Sequence, residues 1–195
     1  MYRILLTAVD IIPAAAVLIP VFCVLYGKIY ERNLRKTVLY FLFCLYISAV
    51  FALVGIPNVY YFRPEINLNL IPFRGMLEDL SNGLLNIVLF VPLGLFLPML
   101  WQRFRRPMNC IVLGLCFSLI IELLQMLTFR ATDVNDLITN TAGTMVGFLL
   151  AKPLTRKFPT VGEGAKDVYI LMVLSFGVMF FLQPLLSPLI WDNLL

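Results

Sequence analysis

Two pairs of carboxylate and amide side chains have helical spacing in the second half of a strongly apolar chain. Glu122 and Gln125 are three residues apart and Asp136 and Asn140 are four apart, and either spacing puts a pair on one face of a helix. Two carboxyl groups can act as general acid and base when their surroundings separate their pKa values. Glu122, Asp133 and Asp136 are therefore the candidate catalytic residues. We expect no resident cofactor, although Asp133 and Asp136 could hold a divalent cation through oxygen ligands.

Other common chemistries are excluded by what the chain lacks. It has no histidine, which removes histidine-ligated zinc, Ser-His-Asp and Cys-His catalysis, and imidazole proton relays. Cys23, Cys44, Cys110 and Cys116 all fall in apolar runs and form no CxxC pair. We expect these cysteines to pack as small hydrophobic side chains.

The composition excludes a water-soluble globular domain. Of the 195 residues, 61% are hydrophobic and 13% are charged, and the mean hydropathy is +0.93, whereas soluble domains have about 45–50% apolar and about 25% charged residues. About 20 apolar residues in a helix span the hydrocarbon core of a bilayer. We therefore predict an all-α, single membrane domain over residues 1–195, with about six spans at Ile4–Gly27, Val38–Ile56, Gly83–Trp101, Asn109–Thr128, Val134–Ala151 and Val168–Ile190.

The basic residues predict how these spans are oriented. Eleven lysines and arginines fall in the first, third and fifth connections, whereas Arg3, Arg63, Arg74 and Arg130 are the four on the other side. The positive-inside rule assigns the larger group to the cytoplasm. We therefore predict a multi-pass protein of the cytoplasmic membrane with both termini extracytoplasmic, and we expect no nucleic-acid partner.

With this orientation, polar side chains from three helices lie at one depth, in the extracytoplasmic leaflet. Asn86 follows the start of the third span, Glu122 and Gln125 precede the end of the fourth, and Asp136 and Asn140 follow the start of the fifth. A charge in hydrocarbon costs about 2.5–3.5 kcal/mol or more. These groups either pair with one another and pin the helices together, or line an outward-facing polar cavity. Arg74, Glu78 and Arg130 could reach the same depth from the connections.

Glycine and proline residues indicate how such a cavity would be built. Gly143 and Gly147 form a small-residue ridge that lets another helix approach closely. The third span contains Pro92, Gly94 and Pro98. A proline inside a membrane helix frees carbonyl groups that neighbouring helices or water must satisfy.

These residues together resemble a known family. The segment Asn86-Ile-Val-Leu-Phe-Val-Pro92-Leu-Gly94 resembles the N-x-x-x-F-x-P-x-G segment of the VanZ-like membrane proteins. Glu122-Leu-Leu-Gln125, Arg130-Ala-Thr-Asp133-Val-Asn-Asp136 and Asn140-x-x-Gly143 are similar to the acidic and amide motifs that follow it in that family. The resemblance covers roughly Val38 to Ala151. It implies an association with resistance to teicoplanin, a lipidated glycopeptide that acts on cell-wall precursors outside the membrane.

Three functions remain open at this point. In the first, the cavity binds the headgroup of a membrane lipid, a lipid-linked wall precursor or the lipoglycopeptide itself. The candidate ligand-binding residues are Arg74, Glu78, Asn86, Glu122, Gln125, Arg130, Asp133, Asp136 and Asn140. In the second, the three acids catalyse a reaction on a lipid-linked substrate. In the third, which the absence of matching acids in the cytoplasmic halves of the helices disfavours, the protein is a small transporter or flippase. The sequence does not specify an oligomeric state.

Overall fold

The computed structural model describes residues 2–64, 68–69, 71–73, 80–128, 132–162 and 164–194. The helices are α1 (Tyr2–Lys28), α2 (Leu34–Val54), α3 (Leu80–Leu100), α4 (Pro107–Gln125), α5 (Val134–Lys157), α6 (Lys166–Gly177) and α7 (Gln183–Leu194). A 3-10 turn, Gln102–Arg105, precedes α4, and a π-helical turn, Val178–Leu182, joins α6 to α7. The strands β1 (Leu68–Asn69) and β2 (Thr132–Asp133) form one short parallel pair.

Five helical segments of the described chain are long and apolar enough to cross a membrane: Ile11–Lys28, Leu34–Val54, Leu80–Leu100, Pro107–Gln125 and Lys166–Leu189. The predicted all-α membrane architecture is therefore confirmed. The remaining predicted span falls in α5, which has 24 residues and whose polar side chains in the first turns lower its mean hydropathy. The predicted orientation of the termini stays a prediction.

Local sequence explains where the helices begin and end. The side chain of Asn33 caps α2 by accepting a hydrogen bond from the Lys36 N–H (3.0 Å). The same helix ends at Gly55, whose φ of 69° is in the left-handed region that glycine adopts without strain. Pro107 is the first residue of α4, a position where its missing N–H costs no helical hydrogen bond.

The helices form two compact units. The first comprises Met1–Arg63 and Lys166–Leu195, and the second Pro64–Ala165. In the first unit, the Tyr40 hydroxyl of α2 donates to the Asp167 carboxylate at the start of α6 (2.7 Å). Further along the same pair of helices, Ser175 Oγ donates to the Cys44 carbonyl (3.2 Å).

The second unit is built on a close backbone contact between α3 and α5. A Cβ atom added at Gly143 or Gly147 would overlap the carbonyl oxygen of Ile87 or Val91, respectively. One added at Gly94 would overlap the backbone of α5 in the same way. The contacts advance along both helices together, so α3 and α5 run in the same direction.

A proline in α3 also leaves an acceptor for α4. Because Pro98 has no N–H, the Gly94 carbonyl has no donor four residues further along the helix. The Cys110 thiol of α4 lies 3.9 Å from that carbonyl oxygen and donates to it. Pro92, close to the middle of α3, does not interrupt the helix.

Replacing Gly147 with alanine tests the backbone contact. We expect Gly147→Ala to lower the free energy of unfolding by about 1–3 kcal/mol, because the added methyl group meets backbone that can only move away as a whole helix. The measurement is thermal unfolding of the detergent-solubilised protein, followed by tryptophan fluorescence.

Gly177→Ala is the matched control, since nothing lies within 4 Å of a Cβ at that helical position. We expect it to be neutral or stabilising by up to about 1 kcal/mol through helix propensity. Equal stability of the two variants would contradict the close contact.

Candidate active or binding site in the second unit

The polar face of α4 points into the second unit. Ser118, Glu122 and Gln125 are 0%, 3% and 6% exposed, and their spacing follows one side of the helix. Leu119 and Leu123, on other sides of α4, are exposed. The helix therefore presents leucine outward and a carboxylate, an amide and a hydroxyl inward.

The facing side of α5 is equally polar. Asn135, Thr139, Asn140 and Thr144 are all buried. The hydroxyl of Thr139 donates to the Asn135 carbonyl (3.0 Å), and that of Thr144 donates to the Asn140 carbonyl (3.1 Å). The threonines thus satisfy their own donors within the helix, which leaves the side-chain amides for contacts with other groups.

One amide joins the two polar faces directly. Asn140 Nδ2 donates to Ser118 Oγ at 2.9 Å, and both side chains are buried. The other end of this amide, Asn140 Oδ1, is buried and has no hydrogen-bond partner among the described residues. A buried acceptor left without a donor costs about 1–3 kcal/mol.

The carboxylate of Glu122 lies at the N-terminal end of α5. Its Oε2 atom accepts a hydrogen bond from the Asp133 N–H (3.0 Å), and its backbone carbonyl accepts one from the Thr132 hydroxyl (3.1 Å). Asp133 immediately precedes the first helical residue of α5. The partial positive charge at a helix N-terminus stabilises an anion placed there, so the fold compensates part of the cost of burying Glu122.

Asp133 caps α5 and at the same time binds the connection before α3. Its Oδ1 atom accepts from the Asn135 N–H (2.8 Å), and its Oδ2 atom accepts from Asn69 Nδ2 (3.1 Å). The Phe73 N–H donates to Asn135 Oδ1 at 2.7 Å. Through these contacts and the β1–β2 pairing, the start of α5 holds part of the long connection in place.

A model of the VanZ/LLP1 family matches residues 15–156. The chain belongs to the VanZ/LLP1 family. The predicted resemblance is therefore confirmed, and with the apolar helices it makes the chain a multi-pass membrane protein. No curated protein and no solved structure matches it. The matched range begins within α1 and extends through most of α5, so it includes every residue of the second unit's polar faces.

Two candidate residues of this VanZ/LLP1 protein are less buried than the polar cluster. Asp136, in the first turn of α5, is partly exposed. Asn86 is also partly exposed and lies one helical turn before Phe90, whose ring packs against Phe117 of α4 (5.8 Å between centroids). Arg74, Glu78 and Arg130 lie outside the described residues.

The described residues contain no group of three or more carboxylates or cysteines placed to hold a metal ion. Of the candidate acids, Glu122 and Asp133 are in contact, because the Glu122 carboxylate accepts a hydrogen bond from the backbone N–H of Asp133.

Sequence reasoning missed Asn69, Thr132 and the backbone of Phe73 as partners of the site. A usable signal was present for the first of these, because Ile66-Asn-Leu-Asn69-Leu alternates apolar and polar residues as a strand does. Thr132 and Phe73 carried no such signal, because the contact of each depends on where the connections meet α4 and α5.

The contacts of Asp133 predict which of its properties matters for stability. We expect Asp133→Ala to destabilise the protein by about 1 kcal/mol or more, because it removes the N-cap of α5 and the acceptor for Asn69. Asp133→Asn keeps the capping oxygen and replaces only the acceptor for Asn69, so we expect it to lose less than Asp133→Ala. Thermal unfolding in detergent provides the measurement. An equal loss in both variants would mean that the negative charge or the Asn69 contact, rather than the cap, is the stabilising feature.

Proposed function

We propose that this VanZ/LLP1 protein binds the polar headgroup of a lipid-linked or amphiphilic ligand in the cluster formed by α4 and α5. The observation that carries the proposal is Asn140 Oδ1, a buried acceptor of that cluster without a partner among the described residues. A hydroxyl or amide donor of a ligand would remove the cost of leaving this oxygen unsatisfied.

The surrounding groups suit a headgroup that carries both donors and an anion. Asn86 and Gln125 can supply further neutral hydrogen bonds. Arg74 and Arg130, if they reach the cluster from the connections, would bind phosphate or carboxylate through the planar guanidinium group. A lipid-linked cell-wall precursor and a lipoglycopeptide both combine these features with an apolar tail.

The distribution of basic residues supports an extracytoplasmic site in a cytoplasmic membrane. The eleven lysines and arginines of the first, third and fifth connections favour the opposite side for the start of α5 and the end of α4. An outward-facing site would meet wall precursors and teicoplanin where that antibiotic acts. We therefore propose a role in the cell envelope that includes tolerance to teicoplanin.

The contacts of Glu122 and Asp133 favour binding over acid–base catalysis by these two residues. Both carboxylate oxygens of Asp133 accept hydrogen bonds within the protein, and one of them caps α5. Using Asp133 as a proton donor or acceptor would disturb the start of that helix. Glu122 is likewise bonded to the backbone of the helix terminus, which suits a positioning role.

Antibiotic susceptibility tests the proposed function with a matched pair of variants. Asn140→Ala and Ser118→Ala both remove the Asn140–Ser118 hydrogen bond, but only Asn140→Ala removes the free acceptor. In a Gram-positive host with equal membrane levels of each form, we expect the native protein and Ser118→Ala to raise tolerance to teicoplanin but not to vancomycin. We expect Asn140→Ala to lose the effect.

Two results would count against the proposal. If the two variants lost tolerance equally, the hydrogen bond between α4 and α5 would be the important feature and not a ligand contact. If the native protein left teicoplanin tolerance unchanged, the link to this antibiotic would be wrong for this chain.

Photo-crosslinking to a polyprenyl phosphate tests the ligand class directly. We expect labelling of the purified protein to fall about tenfold or more when Arg74 and Arg130 are both replaced by glutamine, because each guanidinium–phosphate contact includes a charged hydrogen bond. Arg63→Gln is the control, since it removes a basic residue from the same predicted side. Labelling unaffected by the double substitution would contradict the assigned headgroup contacts.

A further inference from the structure

A small basic cavity lies at the opposite end of α4 and α5 from the polar cluster. We call it the basic notch; it has a volume of about 130 Å³ and is lined by Pro98, Arg105, Pro107, Phe148, Lys152 and Thr155. Two of these six side chains are cationic. The notch belongs entirely to the second unit and shares no residue with the proposed ligand site.

The two cations are held by contacts inside the protein. The Arg105 guanidinium donates through Nη2 to the Phe158 carbonyl (2.9 Å) and through Nε to the Pro98 carbonyl (3.4 Å). The Lys152 ammonium lies 5.7 Å from the centre of the Phe148 ring. The guanidinium has five N–H groups and the ammonium has three, so both retain donors for an anion.

The segments around the notch are strongly basic. The sequence has Arg103, Arg106, Arg156 and Lys157 between residues 101 and 109 and between 152 and 162, in addition to the two lining cations, and Glu163 is the first acid after them. The positive end of α4 at Pro107 is opposed here by the negative ends of α3 and α5, so the positive field of the notch comes from its side chains. The chemistry of the notch therefore matches an anion.

The position of the notch indicates the source of that anion. On α5, Leu149 and Leu150 are 48% and 55% exposed, as expected for side chains that face lipid, and Lys152 follows directly. In a membrane protein, this change from exposed leucine to lysine is where phospholipid headgroups lie.

We propose that the basic notch binds the phosphate of an anionic phospholipid, whose acyl chains lie along the exposed leucines of α5. The predicted orientation would put this lipid in the cytoplasmic leaflet, where anionic phospholipids attract basic residues near the membrane surface. The notch is thus a second lipid-binding site, separate from the ligand cluster.

Native mass spectrometry of the full chain in detergent tests this site. The probes are phosphatidylglycerol and phosphatidylcholine with identical acyl chains. We expect phosphatidylglycerol to remain bound more than phosphatidylcholine, and Lys152→Met to reduce its occupancy roughly fivefold, the effect of one basic side chain near an anionic headgroup. Lys157→Met removes the same charge from the same end of α5 but does not line the notch, and we expect it to reduce occupancy less than twofold.

Several outcomes would overturn the proposal. Equal losses in Lys152→Met and Lys157→Met would indicate diffuse charge attraction, and equal retention of the two lipids by the native protein would indicate no headgroup selection. Displacement of phosphatidylglycerol by millimolar inorganic phosphate would assign the notch to a free anion instead. Thermal unfolding checks that each variant is folded, and Lys152→Gln repeats the test with a polar replacement should the methionine variant be unstable.

Discussion

The backbone contact between α3 and α5 is the constraint on which the second unit depends. Apolar side chains give no hydrophobic driving force between helices that are already surrounded by lipid, so close packing and interhelical hydrogen bonds must hold them together. Gly94, Gly143 and Gly147 have no side chain, which lets the backbone of one helix lie directly against that of the other. The register of α5 on α3 is then determined by backbone shape, which tolerates little adjustment.

The position of α5 in turn determines the polar contacts. Thr144 packs against Gly114 of α4, where an added Cβ would lie 2.5 Å from the threonine Oγ1 atom. One turn away, Asn140 bonds to Ser118, and at the start of α5 the Asp133 N–H bonds to Glu122. Each contact depends on the same placement of α5. A carboxylate and several amides can therefore be buried in an apolar protein because their partners are already in place.

The two ends of α4 and α5 have opposite chemistry. Carboxylates and amides gather where α4 ends and α5 begins, and lysines and arginines gather where α4 begins and α5 ends. The first arrangement suits a ligand with hydrogen-bond donors, and the second suits phosphate. In a membrane these ends lie in different leaflets if both helices span it, so one helical unit offers a separate site to each.

Much of this protein could be predicted from its sequence, because hydrophobicity and charge act over whole segments. The composition predicted the membrane class, and the order of Asn86, Pro92, Glu122 and Asn140 indicated the family. The long apolar runs predicted where the helices lie, but not the end of α5 at Lys157 or the π-helical turn between α6 and α7. The shared face of Glu122 and Gln125 also followed from spacing alone. These features require only the local geometry of a helix.

Other features were decided by tertiary structure. Asp133 was a candidate acid in the sequence, but its role as an N-cap that also binds Asn69 depends on where a distant connection returns. The partner of Gly143 and Gly147 could have been any helix, and only the packed unit identifies α3. The burial of Asn140 Oδ1 without a partner and the basic notch both depend on contacts between segments that are far apart in the chain. Residue types and spacing determined which groups this protein carries into the membrane, whereas the contacts between helices decided which of those groups satisfy one another and which remain to bind something else.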